Sequence, residues 1–460
     1  MEGNMVKVRF APSPTGYLHV GNAKTALLNY LFVRKNGGIM VLRMEDTDTE
    51  RSDAKHERSI IDDLRWLGVT WDKGPCRQSE RIEIYRSHTK NLLESGHAYK
   101  CYCTEEDLAT ARQNSLARGK PPRYHGKCRG LSDNEAIELE KRGKVPVIRF
   151  RSPEKPVTFH DEILGKLAFP RDHVDDLILL RQDGTPTYNL AAVVDDMLMD
   201  ITHVIRGGDH ISNTPKQISL FEAFGKIPPR YGHHSLLIGA DKKPLSKRHG
   251  TTRVVDFRAM GVVSAALVNY LCTMARNVGK EIMELDELAN TFSLGSLSRN
   301  DSIFDIEKLI WFNKEHIKRM PLERLLHESD LSVSVAEKAR VVRENASTLN
   351  DIRDYLTMFE SAGLTEKALL YLTKVAGTRE MGRTIQGLLL AEKKPSLEDL
   401  SGALDPTESI KRKDLYMVLR AFITGRTDGP PLKDIFPLMS VDIMLQRVQS
   451  YLNGWEKDGV

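Results

Sequence analysis

Cysteine is scarce in this chain, five in 460 residues, too few for a disulfide framework. No apolar run approaches the length that crosses a bilayer, and the polar start lacks the segments of a secretory signal. A cytoplasmic protein with no membrane partner is expected. Charge of one sign is missing as well. The net formal charge is +4, and residues 321–460 carry 19 Lys and Arg against 21 Asp and Glu, so charge alone does not announce a nucleic-acid partner. Neither Gly-x-Gly-x-x-Gly nor the Walker lysine loop occurs, which leaves a dinucleotide site and a P-loop without support. Repeats and low-complexity tracts are absent too. What remains is an ordinary globular composition, 40% hydrophobic and 28% charged, long enough for roughly two to four domains.

The residues that can carry chemistry sit in three places. Val6 to Phe10 reads as a short strand, followed by a loop with Pro12, Pro14 and Gly16 and a helix opening near Asn22. Gly37-Gly38 ends the helix, and Ile39 to Leu42 begins a second strand. Strand, helix, strand is the unit of a parallel sheet, and nucleotides bind at the carboxyl edge of such sheets, against a helix N-terminus. The loop offers an imidazole at His19 and bare backbone at Gly21, against which a nucleotide can lie because no Cβ intervenes. His-x-Gly carries little by itself: with 14 His and 32 Gly in 460 residues, chance supplies roughly one.

The second place is Leu236 to Gly250, an apolar strand running into a loop with four cations in seven residues, Lys242, Lys243, Lys247 and Arg248. Such a loop suits an anion whose charge grows during reaction, as the phosphates of ATP do in adenylyl transfer. The third is Cys101-Tyr102-Cys103 with Cys128 further on, a reasonable structural Zn2+ site in a reducing compartment. On spacing its fourth ligand stays open between Tyr124 and His125. Cys76 and Cys272 stand alone and read as core fillers.

Arg9-Phe10-Ala11-Pro12-Ser13-Pro14-Thr15-Gly16 with Leu18-His19-Val20-Gly21 resembles the first signature of class I aminoacyl-tRNA synthetases, in its glutamyl-tRNA synthetase form. Leu245-Ser246-Lys247-Arg248 looks like the second, mobile signature. Val41 to Asp48, Pro186 to Asn189, Val194-Asp195-Asp196 and Thr202 to Gly207 fit the same family. The likeness is strong over residues 5–320 and weaker to the C-terminus. Glutaminyl relatives usually begin the first loop Pro-Pro-Glu-Pro-Asn-Gly, so Ala-Pro-Ser-Pro-Thr-Gly here favours glutamate.

The resemblance implies an α/β protein: a class I synthetase nucleotide-binding (Rossmann-like) parallel-sheet domain, split by an α+β insertion and followed by all-α C-terminal domains. Residues 1–98 and 194–255 would form the catalytic domain. Residues 99–193 would be the insertion that grips the tRNA acceptor end, 256–321 a linking helical module and 322–460 an anticodon-binding domain. The implied activity is ATP-dependent attachment of L-glutamate to the 3′ end of tRNA(Glu), through a glutamyl-adenylate, with release of AMP and diphosphate. Charging of tRNA(Gln) also or instead is within the family's range. ATP would arrive with Mg2+, and the protein would act as a monomer.

Carried over residue by residue, Arg9 and Arg206 would hold the side-chain carboxylate of glutamate, a task that suits arginine's planar fork. Ser13, Glu45 and Tyr188 would complete the amino-acid site, Glu45 accepting from the substrate ammonium. Ala11, His19, Gly21, Asp209, Leu237, Lys247 and Arg248 would meet ATP, with His19, Gly21, Ser246 and Lys247 serving the chemistry. Some family members bind zinc through Cys-x-Cys, a Tyr and a Cys, which selects Tyr124 beside Cys101, Cys103 and Cys128. Two positions depart from the pattern. Pro244 stands where lysine commonly precedes Leu-Ser-Lys-Arg, and Gly208 stands where an acid usually follows Arg-Gly. They motivate a competing reading as a tRNA-binding paralogue without catalysis. A small-molecule adenylyltransferase is a second alternative, against which the length of the chain argues, and a truncated-type enzyme that modifies a tRNA base with glutamate is a third, against which the helical pattern after Leu322 argues.

Overall fold

The computed structural model describes residues 5–457 apart from 49, 118, 120–123, 172–173, 246–247, 249, 278, 392–394 and 405–410. The chain folds into two compact units, one of residues 1–257 and 267–305, the other of 258–266 and 306–460. Residues 99–193, expected to form an insertion, therefore lie within the first unit.

Strand β1 (Lys7–Phe10) pairs in parallel with β2 (Ile39–Met44), and β2 with β3 (Lys73–Arg77). Between β1 and β2 runs helix α1 (Val20–Asn36), which begins two residues before the expected start. His19 caps it, Arg34 and Lys35 complement its negative end, and Gly37 closes it at φ 60°, the left-handed turn glycine takes without strain. Gly38 is needed next: a Cβ there would sit 2.3 Å from the Val6 carbonyl oxygen, where Ile39 N–H donates to Val6 as β2 starts.

Within residues 99–193 the strands divide. β4 (Ala98–Cys101), β5 (Val147–Phe150) and β8 (Ile178–Leu180) form their own antiparallel sheet. The hairpin of β6 (Val157–Asp161) and β7 (Gly165–Phe169) instead joins β9 (His203–Gly207) and β10 (Arg230–His234), in the order β7-β6-β10-β9. β9, β10 and β6 run parallel. Thr202 N–H donates to the Lys7 carbonyl at 2.9 Å and Lys7 N–H to Thr202 Oγ1 at 2.8 Å, which tie the start of β9 to β1. One apolar cluster spans both sheets through Val41, Val157, Ile201, Val204 and Tyr231. A short pair, β11 (Leu237–Ile238) with β12 (Ser302–Ile303), completes the strands.

Asp183-Gly184 between two apolar runs reads as a hairpin turn, and the turn forms, but its second arm is only a bridge from Leu180 to Pro186 before a helix opens at Tyr188. The second unit is helical, as the resemblance implies for residues 322–460, with helices including Ile306–Arg319, Arg412–Thr424 and Val441–Lys457. Arg447 is buried in its core and donates to three carbonyls, those of Met358, Ser361 and Ile423. Among the described residues no helix is long and apolar enough to cross a membrane.

Candidate active site

The parallel strands β1, β2, β9 and β10 deliver their last residues to one edge, and a cleft of about 760 Å³ opens there. Arg9, Ala11, Ser13, His19, Gly21, Glu45, Tyr188, Arg206, Asp209 and Leu237 all line it. Ten residues proposed from distant segments thus share one cavity at the edge where nucleotides bind such sheets. Arg248 is not part of that lining; it lies exposed, 3.5 Å from Asp241. Ser246 and Lys247 lie outside the described residues. The flanks of their loop are described and anchored. Leu245 and Pro244 line the cleft, Leu245 N–H donates to Leu237, and Thr252 accepts from Val20 N–H at 2.9 Å. His19 itself bridges to Arg253. Both ends of the basic loop therefore lie at the His19 signature.

The His19 ring is fixed by its capping role. Gly21 N–H donates to Nδ1 at 3.1 Å, so Nδ1 is an acceptor and the proton resides on Nε2. Burial lowers the imidazole's pKa and keeps it neutral. Nε2 is buried with no partner among the described residues, an unpaired N–H donor on a residue that lines the cleft. A Cβ on Gly21 would stand 3.3 Å from Nδ1, so the glycine also keeps room for the imidazole.

The floor of the cleft beside Arg9 and Glu45 is a buried ionic network. Arg43, fully buried, donates to Asp196 at 2.6 Å and to Glu45 at 3.1 Å. Arg9 Nε approaches Asp196 at 3.3 Å, leaving its terminal nitrogens without a hydrogen-bond partner among the described residues. Burial would raise the Asp196 carboxyl, but Arg43 and Arg9 outweigh it and hold the pKa low. At Glu45 burial wins over the same arginines, and the pKa rises. Asp195 anchors the layer beneath, accepting from Gln78, Arg81 and Tyr85. Buried pairs of this kind cost much to break, because removal of one partner strands the other's charge.

Arg206, 4% exposed, stands at the end of β9 with its Nη1 on Tyr188 OH at 3.3 Å and Nη2 on Thr214 Oγ1 at 2.7 Å. At Gly207 a Cβ would lie 2.4 Å from Asp209 Oδ1, the end of an exposed side chain that can turn aside. At Gly208 a Cβ would meet only ordinary contacts, with the His234 carbonyl at 3.4 Å, so space alone does not demand that departure. Pro244 occupies a hairpin in which Gly239 N–H donates to the Lys243 carbonyl at 2.8 Å.

The sequence reading missed three lining or supporting groups. Lys24 is buried on α1, donates to the Ser235 carbonyl at 2.8 Å, and burial pushes its pKa down to about 8. Its place one helical turn from Gly21 was the available signal. His233 and His234 lie on β10, whose polar sequence Arg230-Tyr231-Gly232-His233-His234 hides a buried strand. Burial pushes the His234 pKa to about 3, and its Nε2 meets Thr25 Oγ1 at 2.9 Å.

The sulfurs of Cys101, Cys103 and Cys128 lie within 4.8 Å of one another. Tyr124 OH is 3.3 Å from Cys101 Sγ and 3.6 Å from Cys103 Sγ, so the phenol oxygen joins the sulfur group and brings it to the ligand number of a closed zinc site. The three-sulfur group does not include His125, which is exposed. Arg149 lies over the Tyr124 ring at 3.9 Å.

Known proteins match this arrangement over nearly the whole chain. Residues 5–311 match the catalytic domain of class I tRNA synthetases (E and Q), and residues 305–452 match an anticodon binding domain. "Glutamate--tRNA ligase 2" of Syntrophus aciditrophicus is 40% identical, covering 98% of this chain and 99% of that one. "Glutamate--tRNA ligase" of Carboxydothermus hydrogenoformans is 38% identical, covering 98% of this chain and all of that one. Among solved structures, a glutamate tRNA ligase from Elizabethkingia meningosepticum, in complex with its amino acid, superposes with a TM-score of 0.82 at 29% identity. It covers 98% of this chain and 99% of that one.

Proposed function

The chain belongs to the class I tRNA synthetases for glutamate and glutamine, and on that premise we infer that it attaches L-glutamate to the 3′ end of tRNA(Glu), driven by ATP. In the first step the α-carboxylate of glutamate attacks the α-phosphorus of ATP, and pyrophosphate leaves. In the second a terminal ribose hydroxyl of the tRNA attacks the activated acyl carbon, and AMP leaves. Neither step requires a covalent enzyme nucleophile, so the protein acts by positioning and by charge stabilisation.

The observation that carries this reading is the pairing of functions in one cleft. Arg9 and Arg206 present guanidinium groups from β1 and β9, while His19 presents an Nε2–H donor from the start of α1. Arg9 and Arg206 take the side-chain carboxylate of glutamate. Ser13 and Tyr188 border that ligand, and Glu45 accepts from its ammonium. His19 donates to a phosphate oxygen of Mg2+-bound ATP, with Gly21, Ala11, Leu237 and Asp209 along the nucleotide. Ser246 and Lys247 close over the triphosphate from a loop whose two flanks are tethered beside His19. Arg248, paired with Asp241, reaches the phosphates only if that exposed pair opens.

Zn2+ held by Cys101, Cys103, Tyr124 and Cys128 would supply a structural cross-link in the insertion, which grips the acceptor end. The helical region from 322 onward reads the anticodon, and the protein acts as a monomer. Acceptance of tRNA(Gln) beside tRNA(Glu) stays within the same chemistry. The test is exchange of labelled pyrophosphate into ATP, with tRNA present, comparing glutamate, glutamine and aspartate. Exchange specific to glutamate supports the assignment; exchange without an amino acid, or none with glutamate, overturns it.

A further inference from the structure

Arg206 does not stand free in the cleft: its third contact runs down into the sheet. Its Nε lies 3.2 Å from His233 Nε2, on the neighbouring strand β10, where Arg206 and His233 are register partners. Thr214 Oγ1 approaches the same nitrogen at 2.9 Å while it accepts from Arg206 Nη2. Two donors thus converge on Nε2, which must be unprotonated to accept them. The proton then sits on Nδ1, 2.6 Å from Asp161 Oδ2. Asp161 ends β6 and is fully buried, as is the His233 side chain. Its carboxylate accepts from the backbone N–H groups of Ile163 and Leu164, each at 2.9 Å, and of His233 at 3.1 Å. An acceptor so well supplied with donors holds its negative charge and fixes the imidazole tautomer.

We propose that His233, oriented by Asp161, is the positioning residue that aims Arg206 at the glutamate side chain, and so helps set amino-acid specificity. This deepens the assignment of the cleft to glutamate and rests on it. The bonds to His233, Tyr188 and Thr214 use one N–H on each guanidinium nitrogen, leaving one on Nη1 and one on Nη2 for a ligand carboxylate. A guanidinium already locked at three points loses little freedom when the carboxylate arrives. Asp161 comes from the hairpin within residues 99–193, so a segment outside the signature motifs supports substrate recognition.

The direct perturbation is Asp161→Asn. It keeps the shape but turns one carboxylate oxygen into an NH2 donor, which favours the tautomer with its proton on Nε2, facing the Arg206 N–H. His233→Phe is the second variant: it keeps a ring, removes the acceptor, and leaves Asp161 its backbone donors. In pyrophosphate exchange on the full chain, each folded variant is expected to raise the KM for glutamate tenfold or more. The KM for ATP should stay within about twofold, and preference for glutamate over glutamine should narrow. A purely structural role would lower the thermal midpoint without that split. A folded variant whose glutamate KM stays within twofold overturns the proposal. A crystal structure of the unaltered protein with glutamate needs no variant. Arg206 Nε still on His233 while Nη1 or Nη2 meets the carboxylate supports it, and Arg206 swung off His233 overturns it. Failure of the unaltered protein to respond to glutamate would count against the assigned activity itself.

Discussion

His19 has two separable duties, and a pair of substitutions can divide them. Its Nδ1 caps α1 by accepting from Gly21 N–H, while its Nε2–H is buried in the cleft wall without a partner among the described residues. His19→Asn places an oxygen near the Nδ1 position and preserves the cap, because asparagine is a favoured N-cap. It removes the Nε2 donor. His19→Ala removes both. Loss of a cap costs about 1 kcal/mol, which in a unit of this size moves a thermal midpoint by roughly 2–4 °C or less. Loss of one donor aimed at developing charge costs about 10²–10³ in rate. His19→Asn is therefore expected to unfold within about 1 °C of the unaltered protein, and His19→Ala a few degrees lower. Both should slow glutamate-dependent pyrophosphate exchange by about 10²–10³ while leaving the KM for glutamate nearly unchanged. Differential scanning calorimetry and exchange kinetics on the same preparations read both quantities. Exchange by His19→Asn within tenfold of the unaltered rate would refute the donor role.

Lys247→Ala should slow adenylate formation by about 10², as expected for a lost phosphate contact, and leave tRNA affinity within about twofold in a filter-binding assay; loss of tRNA binding with chemistry intact would reverse that division. Glu45 must be ionised to accept the substrate ammonium, and burial raises its pKa from the ordinary 4.5. Glutamate KM should therefore begin to climb on acidification above the pH an exposed glutamate would set, and Glu45→Gln should lose that limb from a pH profile. Metal analysis of the purified protein should find one zinc per chain, lost in Cys103→Ser. That variant should raise the KM for tRNA and spare exchange.

The parallel edge was readable because its residues are compact signatures: a loop before a capped helix, and arginines at the ends of apolar strands. Arg9 and Arg206 could be named without coordinates because those signatures resemble the synthetase family's, and their places at strand ends agree with it. β10 was not readable. Its two histidines are buried, and they are satisfied by Asp161, Arg206, Thr214 and Thr25 on other elements, a tertiary fact no local pattern encodes. The β6–β7 hairpin escaped for a related reason, since its alternation says strand but not which sheet receives it. Lys24 looked like an ordinary helical lysine because its burial depends on the Ser235 carbonyl arriving from β10. The cysteine spacing proposed three ligands, and the approach of Tyr124 OH to two of the sulfurs distinguishes it from its neighbour His125.

The measurement that bears most directly on the central claim is transfer of labelled glutamate to purified tRNA(Glu) and tRNA(Gln), each assayed separately with ATP. Acid-precipitable glutamyl-tRNA from at least tRNA(Glu), with one AMP released per glutamate attached, is the predicted result. Tight tRNA binding with no transfer to either tRNA, under conditions where a relative charges both substrates' controls, would contradict the account and leave a binding protein in place of an enzyme.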